Sequence, residues 1–120
     1  MNKISHYNDL TAYITRDGSE IRELMHPNTH GNKSQSLAEA IVKPNEKTLL
    51  HKHLKSEEIY FIIQGNGKMN LNNETIQVTT GDTICIMPGT EHNIENTGNE
   101  NLKILCCCSP AYSHDDTIIS

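Results

Sequence analysis

No stretch of this chain approaches the roughly 18 consecutive apolar residues that a membrane span requires. No run of Lys or Arg occurs either, and ten basic residues against fifteen acidic ones leave a formal net charge of -5. Nucleic-acid binding driven by phosphate neutralisation needs a basic patch, so it is excluded. Hydrophobic residues make up 35% of the 120, below the share of about 45–50% usual in globular chains when Gly is counted. That shortage speaks against an all-apolar core and for a fold with many polar faces and turns. There is no internal repeat and no low-complexity segment. The first ten residues, MNKISHYNDL, lack an apolar core segment, so no signal peptide is expected. A chain of 120 residues has room for one domain.

Four cysteines are present, three of them consecutive at Cys106, Cys107 and Cys108. Neighbours on a strand point to opposite faces, so Cys107 faces away from the other two. With no export signal, reduced thiols and a cytoplasmic location are the expectation.

What the chain has in abundance is Ile and Thr in short runs bounded by Gly, Asn, Asp and Pro. This is the pattern of short antiparallel strands in a sandwich or barrel. Strands are expected at Ser36–Val42, Thr48–Leu54, Glu57–Ile63, Lys68–Leu71, Glu74–Val78, Thr83–Met87, His92–Asn96 and Leu102–Cys108. The piece Asp17–Met25 reads as a short helix or an early strand, and Met25–Gln35 as a loop. The organisation expected is an N-terminal arm and loop at 1–35, a barrel at 36–110 and a tail at 111–120 that forms an arm or a final strand.

Among seven histidines, His51 and His53 sit two apart in a strand, which turns both rings to one face. Glu57 and Glu58 follow, and from the next strand Glu58 can face the same interior. His92 comes three residues after Pro88-Gly89. Taken singly these are weak signals, because HxH pairs arise often and paired glutamates are usually a solvated face. Three imidazoles and a carboxylate converging inside a barrel would suit Mn, Fe, Co, Ni, Cu or Zn, but not Ca or Mg.

In combination these residues resemble the cupin motifs. His51, His53, Glu58 and Gly65 fit G-x5-H-x-H-x3–4-E-x6-G, which assigns the carboxylate to Glu58 rather than Glu57. Gly81, Gly89, His92 and Asn96 fit G-x5-P-x-G-x2-H-x3-N, and the 15 residues Asn66–Thr80 separate the two motifs as in small microbial cupins. Two positions depart. Asn45, after Pro44, stands for the opening Gly, and Asn tolerates the positive φ of a type II turn there. Met87 stands for the motif Pro, with Pro88 beside it. Neither departure touches a ligand. The resemblance implies an all-β fold, the cupin-type double-stranded β-helix or jelly-roll barrel. It also implies one divalent transition metal ion (Mn, Fe, Ni, Cu or Zn) on His51, His53, Glu58 and His92. SEEIYFIIQGNG and LCCCSPAYSHDDT also look like segments of single-domain cupins often labelled mannose-6-phosphate isomerase-like, a label that does not establish a reaction.

Other residues divide between function and packing. Tyr60 and Ile62 share the parity of Glu58 and should line the cavity, where Tyr60 is a candidate acid or hydrogen-bond donor as well as a barrel residue. Ile59, Phe61 and Ile63 point outward as an apolar strip, which implies a partner surface, most simply a second copy in a homodimer. Cys106 and Cys108 could ligate a soft metal but read better as packing, as does Cys85. His114 with Asp115-Asp116 is a second cluster of ligand type. His6, His26 and His30 read as surface residues. Arg16 and Arg22 are the only arginines, both outside the barrel, so an anionic substrate would have to rely on Lys68 or the metal.

Two functions remain open. One is a metalloenzyme acting on a small polar molecule by dioxygenase, isomerase, decarboxylase or lyase chemistry. The other is a non-catalytic cupin that binds or senses a small molecule. A protein with no ligand is disfavoured, since burying three histidines and a carboxylate uncompensated costs several kcal/mol.

Overall fold

The computed structural model describes residues 3–120; Met1 and Asn2, at the start of the expected N-terminal arm, lie outside the described residues. Among the described residues eleven strands form: β1 (Tyr13–Ile14), β2 (Glu20–Met25), β3 (Ser36–Val42), β4 (His51–His53), β5 (Glu57–Gln64), β6 (Asn66–Leu71), β7 (Glu74–Thr79), β8 (Thr83–Ile86), β9 (His92–Asn96), β10 (Leu102–Ser109) and β11 (Thr117–Ile119). They make two antiparallel sheets, ordered β1-β2-β3-β10-β5-β8 and β11-β4-β9-β6-β7. The architecture is all-β, as the strand pattern predicts, and it is the jelly roll that the motif resemblance implies.

Alternation decides what goes inside. In β5, Glu58, Tyr60 and Ile62 are buried while Ile59, Phe61 and Ile63 are exposed. In β10, Leu102, Ile104, Cys106 and Cys108 are buried and Lys103, Leu105 and Cys107 face out. Ile62, Met69, Ile86, Ile94, Leu102 and Ile104 fill the core almost without exposure, each stabilising the fold by roughly 1.5–3 kcal/mol. The core occupies one end of the sandwich. The inward positions of β4, the start of β9 and the start of β5 are polar instead, and there the site lies.

Several expectations are refined. Glu20–Met25 is a strand, the second of the two alternatives. The Thr48–Leu54 strand shrinks to His51–His53 because Thr48 interrupts the ladder: its hydroxyl accepts from Ile94 N at 3.0 Å, in place of a backbone carbonyl. The Met25–Gln35 loop contains one helical turn, α1 (Pro27–His30), capped by the His26 ring. His30 is buried, its Nδ1 accepting from His26 N, so the surface reading of that residue is wrong. Asn45 has φ 67°, as its place in the turn requires. Gly65 has φ 103°, and a Cβ there would meet Asn101 O at 3.2 Å, so a larger residue is strained in the β5–β6 turn.

Candidate metal centre

His51 and His53 flank the outward Lys52 on β4, and β9 sets His92 directly across from His51. The turn before β9 is tied in place by a 2.7 Å bond from Gly89 N to His53 O. The rings of His51 and His92 are 4.2 Å apart, and His53 lies 5.3 and 5.5 Å from them. One nitrogen from each converges, all within 4.8 Å of one another, and the three together could hold a metal ion. Glu58 reaches in from the facing sheet, its Oε1 3.2 Å from His53 Nε2 and 3.5 Å from His92 Nε2. All four side chains are buried.

The hydrogen bonds behind the rings decide which nitrogens are bare. His51 Nδ1 meets Leu49 O at 2.7 Å and His92 Nδ1 meets Thr90 O at 2.9 Å. A carbonyl only accepts, so both Nδ1 atoms carry the proton. His53 Nδ1 lies 3.0 Å from Thr117 Oγ1, whose own proton goes to Ser113 O at 2.8 Å. Thr117 therefore accepts, and His53 is fixed the same way. The Nε2 lone pairs of His53 and His92 then face the Glu58 carboxylate, and that of His51 lies 3.7 Å from Asp17 Oδ2. Glu58 Oε1 and His92 Nε2 are buried with no hydrogen-bond partner, so the arrangement calls for a cation between them. A proton can play that part. Burial pushes the Glu58 carboxyl up, but the imidazoles of His53 and His92 beside it, favouring its charged form, outweigh burial and hold the group at about 2. Burial, with the charge of His92 next, pushes His51 below the ordinary histidine value.

The sequence model of the cupin domain matches residues 38–108, from β3 through β10. The chain belongs to the cupin family. Protein MJ1618 of Methanocaldococcus jannaschii, itself uncharacterized, is 60% identical over 94% of this chain and 90% of its own length. The oxalate-binding protein of Thermotoga maritima is 34% identical over 72% of this chain and 71% of its own. The crystal structure of a predicted oxalate decarboxylase from T. maritima superposes with a TM-score of 0.76 at 27% identity, covering 89% of this chain and 98% of that one.

The cavity beside the histidines has a volume of about 40 Å³, room for roughly three waters by the usual measure. Tyr60 lines it, as its parity requires, but burial pushes its hydroxyl far above the ordinary tyrosine range, with the Glu58 charge next. Cys106 and Cys108 also line it. Burial, then the charge of Glu58, pushes both thiols up, and neither sulfur belongs to the cluster of converging ligand atoms, which among the described residues is His51, His53 and His92. Cys108 does more than pack: its Sγ donates to Glu58 Oε2 at 3.2 Å.

Other expectations need correction. Cys85 is exposed on the outer face opposite Ile59, and it does not fill the barrel of this cupin. Lys68 points outward to Glu95 at 3.4 Å and cannot reach a cavity ligand. His114, Asp115 and Asp116 gather no metal site; Asp116 instead accepts from Lys55 N and Ser56 N, pinning the β4–β5 turn. Asn96 of the second motif is structural, donating to Val42 O and Glu100 O. Three site residues escaped sequence reasoning: Asp17, Thr117 and Cys108 as a donor to Glu58. They come from distant segments, and no spacing rule links them to the motifs.

Proposed function

We propose that this cupin binds one divalent transition metal ion on His51, His53, Glu58 and His92 and uses it to bind and act on a small polar molecule. The observation that carries this reading is the convergence of one nitrogen from each of three histidines within 4.8 Å, each histidine held by an acceptor on its Nδ1, with the buried Glu58 carboxylate beside two of them. Three imidazoles and one carboxylate suit Mn, Fe, Ni, Cu or Zn. When bound, such an ion supplies Lewis-acid polarisation of a substrate oxygen. The protein's part is to orient the four donors, to keep Glu58 Oε2 occupied by Cys108, and to restrict the ligand to a molecule of a few heavy atoms. The names of the Thermotoga relatives support a small oxygen-rich ligand without naming the reaction here.

Elemental analysis tests the reading on untagged protein purified without chelator and without a nickel column. Near-stoichiometric metal is expected, and His53→Ala and His92→Ala should each lose it while staying folded. If both variants keep a full equivalent, the ligand assignment is wrong.

The second reading, a cupin that binds or senses without turnover, has its own support. In the metal-free protein burial pushes the Tyr60, Cys106 and Cys108 protons above the range useful for proton transfer at neutral pH. Retained metal and ligand binding with no conversion across oxidative, isomerase and lyase assays would favour it.

We also propose a homodimer formed through the outer face of the larger sheet. Leu37, Cys107, Ile59 and Cys85 form one cross-strand row there, with Leu105 and Phe61 in the next. All four cysteines are free, which supports a reducing, cytoplasmic setting. No helix among the described residues is long and apolar enough to cross a membrane.

A further inference from the structure

A second carboxylate looks onto His51. Asp17 Oδ2 lies 3.7 Å from His51 Nε2, at the cavity wall. Its position is built by the β1–β2 turn. Asp17 Oδ1 accepts from Ser19 N at 2.9 Å and from Ser19 Oγ at 2.6 Å, which leaves Oδ2 turned to the histidine. Gly18, at φ 92°, donates to Thr15 O and closes the turn. Asp17 O accepts from Leu49 N at 2.8 Å, and Leu49 O in turn holds the His51 ring. The carboxylate is therefore fixed relative to the candidate metal ligand and is not a loose surface group. Two unpartnered buried atoms, Glu58 Oε1 and His92 Nε2, lie 3.5 Å apart in the same cluster.

The charge of the cavity is one-sided. Asp17, Glu23 and Glu58 line it, and no Lys or Arg does. Glu23 Oε1 accepts from Tyr13 Oη at 3.1 Å, and its Oε2 is buried without a partner. A divalent ion on the histidines balances Glu58 and one further carboxylate, which leaves the three-carboxylate cavity with one negative charge uncompensated. A dianionic ligand entering here meets like charge in a partly desolvated cleft, at a cost of at least about tenfold in affinity. A ligand with an O–H or N–H beside its metal-binding oxygen meets instead an acceptor of fixed direction.

Resting on the metal-centre reading, we propose that Asp17 is the specificity-determining residue of this site. It selects neutral ligands that pair a metal-binding oxygen with a neighbouring hydrogen-bond donor, such as α-hydroxy carbonyl compounds or vicinal diols, and it rejects dicarboxylates.

The test uses the full chain loaded with Co(II), with cobalt content measured after desalting. Hydroxyacetone and oxalate, close in size and opposite in charge, are titrated against the visible spectrum. Asp17→Asn keeps a carbonyl for the Ser19 clamp and removes the charge; Asp17→Ser is the second variant should the first not fold. Both should keep cobalt. The ratio of oxalate to hydroxyacetone affinity should rise about tenfold or more relative to the unchanged protein. A ratio unmoved within twofold, or no oxalate response from any of the proteins, overturns the role of Asp17. An unchanged protein that holds no cobalt overturns the metal centre itself, a failure visible before any ligand is added.

Discussion

Thr117 Oγ1 lies 3.0 Å from His53 Nδ1 and joins the last strand to a residue 64 positions earlier. The contact does not add a ligand; it chooses which nitrogen of His53 is free. Thr117→Val keeps the shape and loses the acceptor. Metal affinity measured by competition with a chromophoric chelator should fall about 10–100-fold, and Thr117→Ser should restore most of it. Equal affinity in the Val variant would mean that the His53 tautomer is set some other way.

Cys108 offers a parallel case on the carboxylate side. Its thiol is the donor to Glu58 Oε2, and Glu58 is buried. Cys108→Ala should cost roughly 1–3 kcal/mol in denaturant unfolding of the apoprotein, beyond what the small cavity accounts for. Cys108→Ser, which still donates, should recover part of that loss. An Ala variant no less stable than a Val variant of the same site would remove the hydrogen bond from the account.

The apoprotein should lose stability as pH falls. His51 is held below its ordinary value in the fold, so the unfolded chain binds more protons below about pH 6.5. Glu58 is held at about 2 against an ordinary value near 4.5, so a second loss begins near pH 4.5 and runs down to about 2. Both groups act in the same direction, and the carboxylate alone amounts to a few kcal/mol. Urea midpoints of chelator-treated protein between pH 8 and pH 4 test this. A midpoint that stays level from pH 7 to pH 5 would sink the His51 part.

Much of the site was legible because its residues follow short-range rules. Period two turns His51 and His53 to one face and sets Glu58, Tyr60 and Ile62 against Ile59, Phe61 and Ile63. Motif spacing then separates Glu58 from Glu57, and the structure puts Glu57 at the surface. Cys85 was misread although the signal existed: Ile84 and Ile86 flank it, and alternation alone turns it outward. Asp17 and Thr117 had no such signal. One sits on a two-strand hairpin and the other on a tail strand, and both reach the histidines only through long-range pairing of β4 with β11 and of Leu49 with Asp17. Asp116 was legible as a possible ligand type but not as the cap of a turn, because the amides it accepts from lie sixty residues away, at Lys55 and Ser56.

The outer face of the larger sheet carries the last prediction. Ile59 and Phe61 are each 41% exposed and Ile63 36%, on a central strand whose neighbours add Leu105, Cys107 and Cys85 to the same surface. A lone domain of this size gains nothing from leaving such a row in water, and each large side chain buried on association contributes roughly 1.5–3 kcal/mol before the costs of association. Sedimentation equilibrium should therefore give about twice 13.5 kDa. Ile63→Lys places a charge in the row and should shift the protein toward the monomer with little change in metal content, since residue 63 faces away from the cavity. The same substitution separates the two claims made for β5. If Ile63→Lys dissociates the dimer and the metal stays, the outward parity serves association and the inward parity serves the site. If the unchanged protein is already a clean monomer, the apolar row has another partner or none, and the metal centre stands untouched.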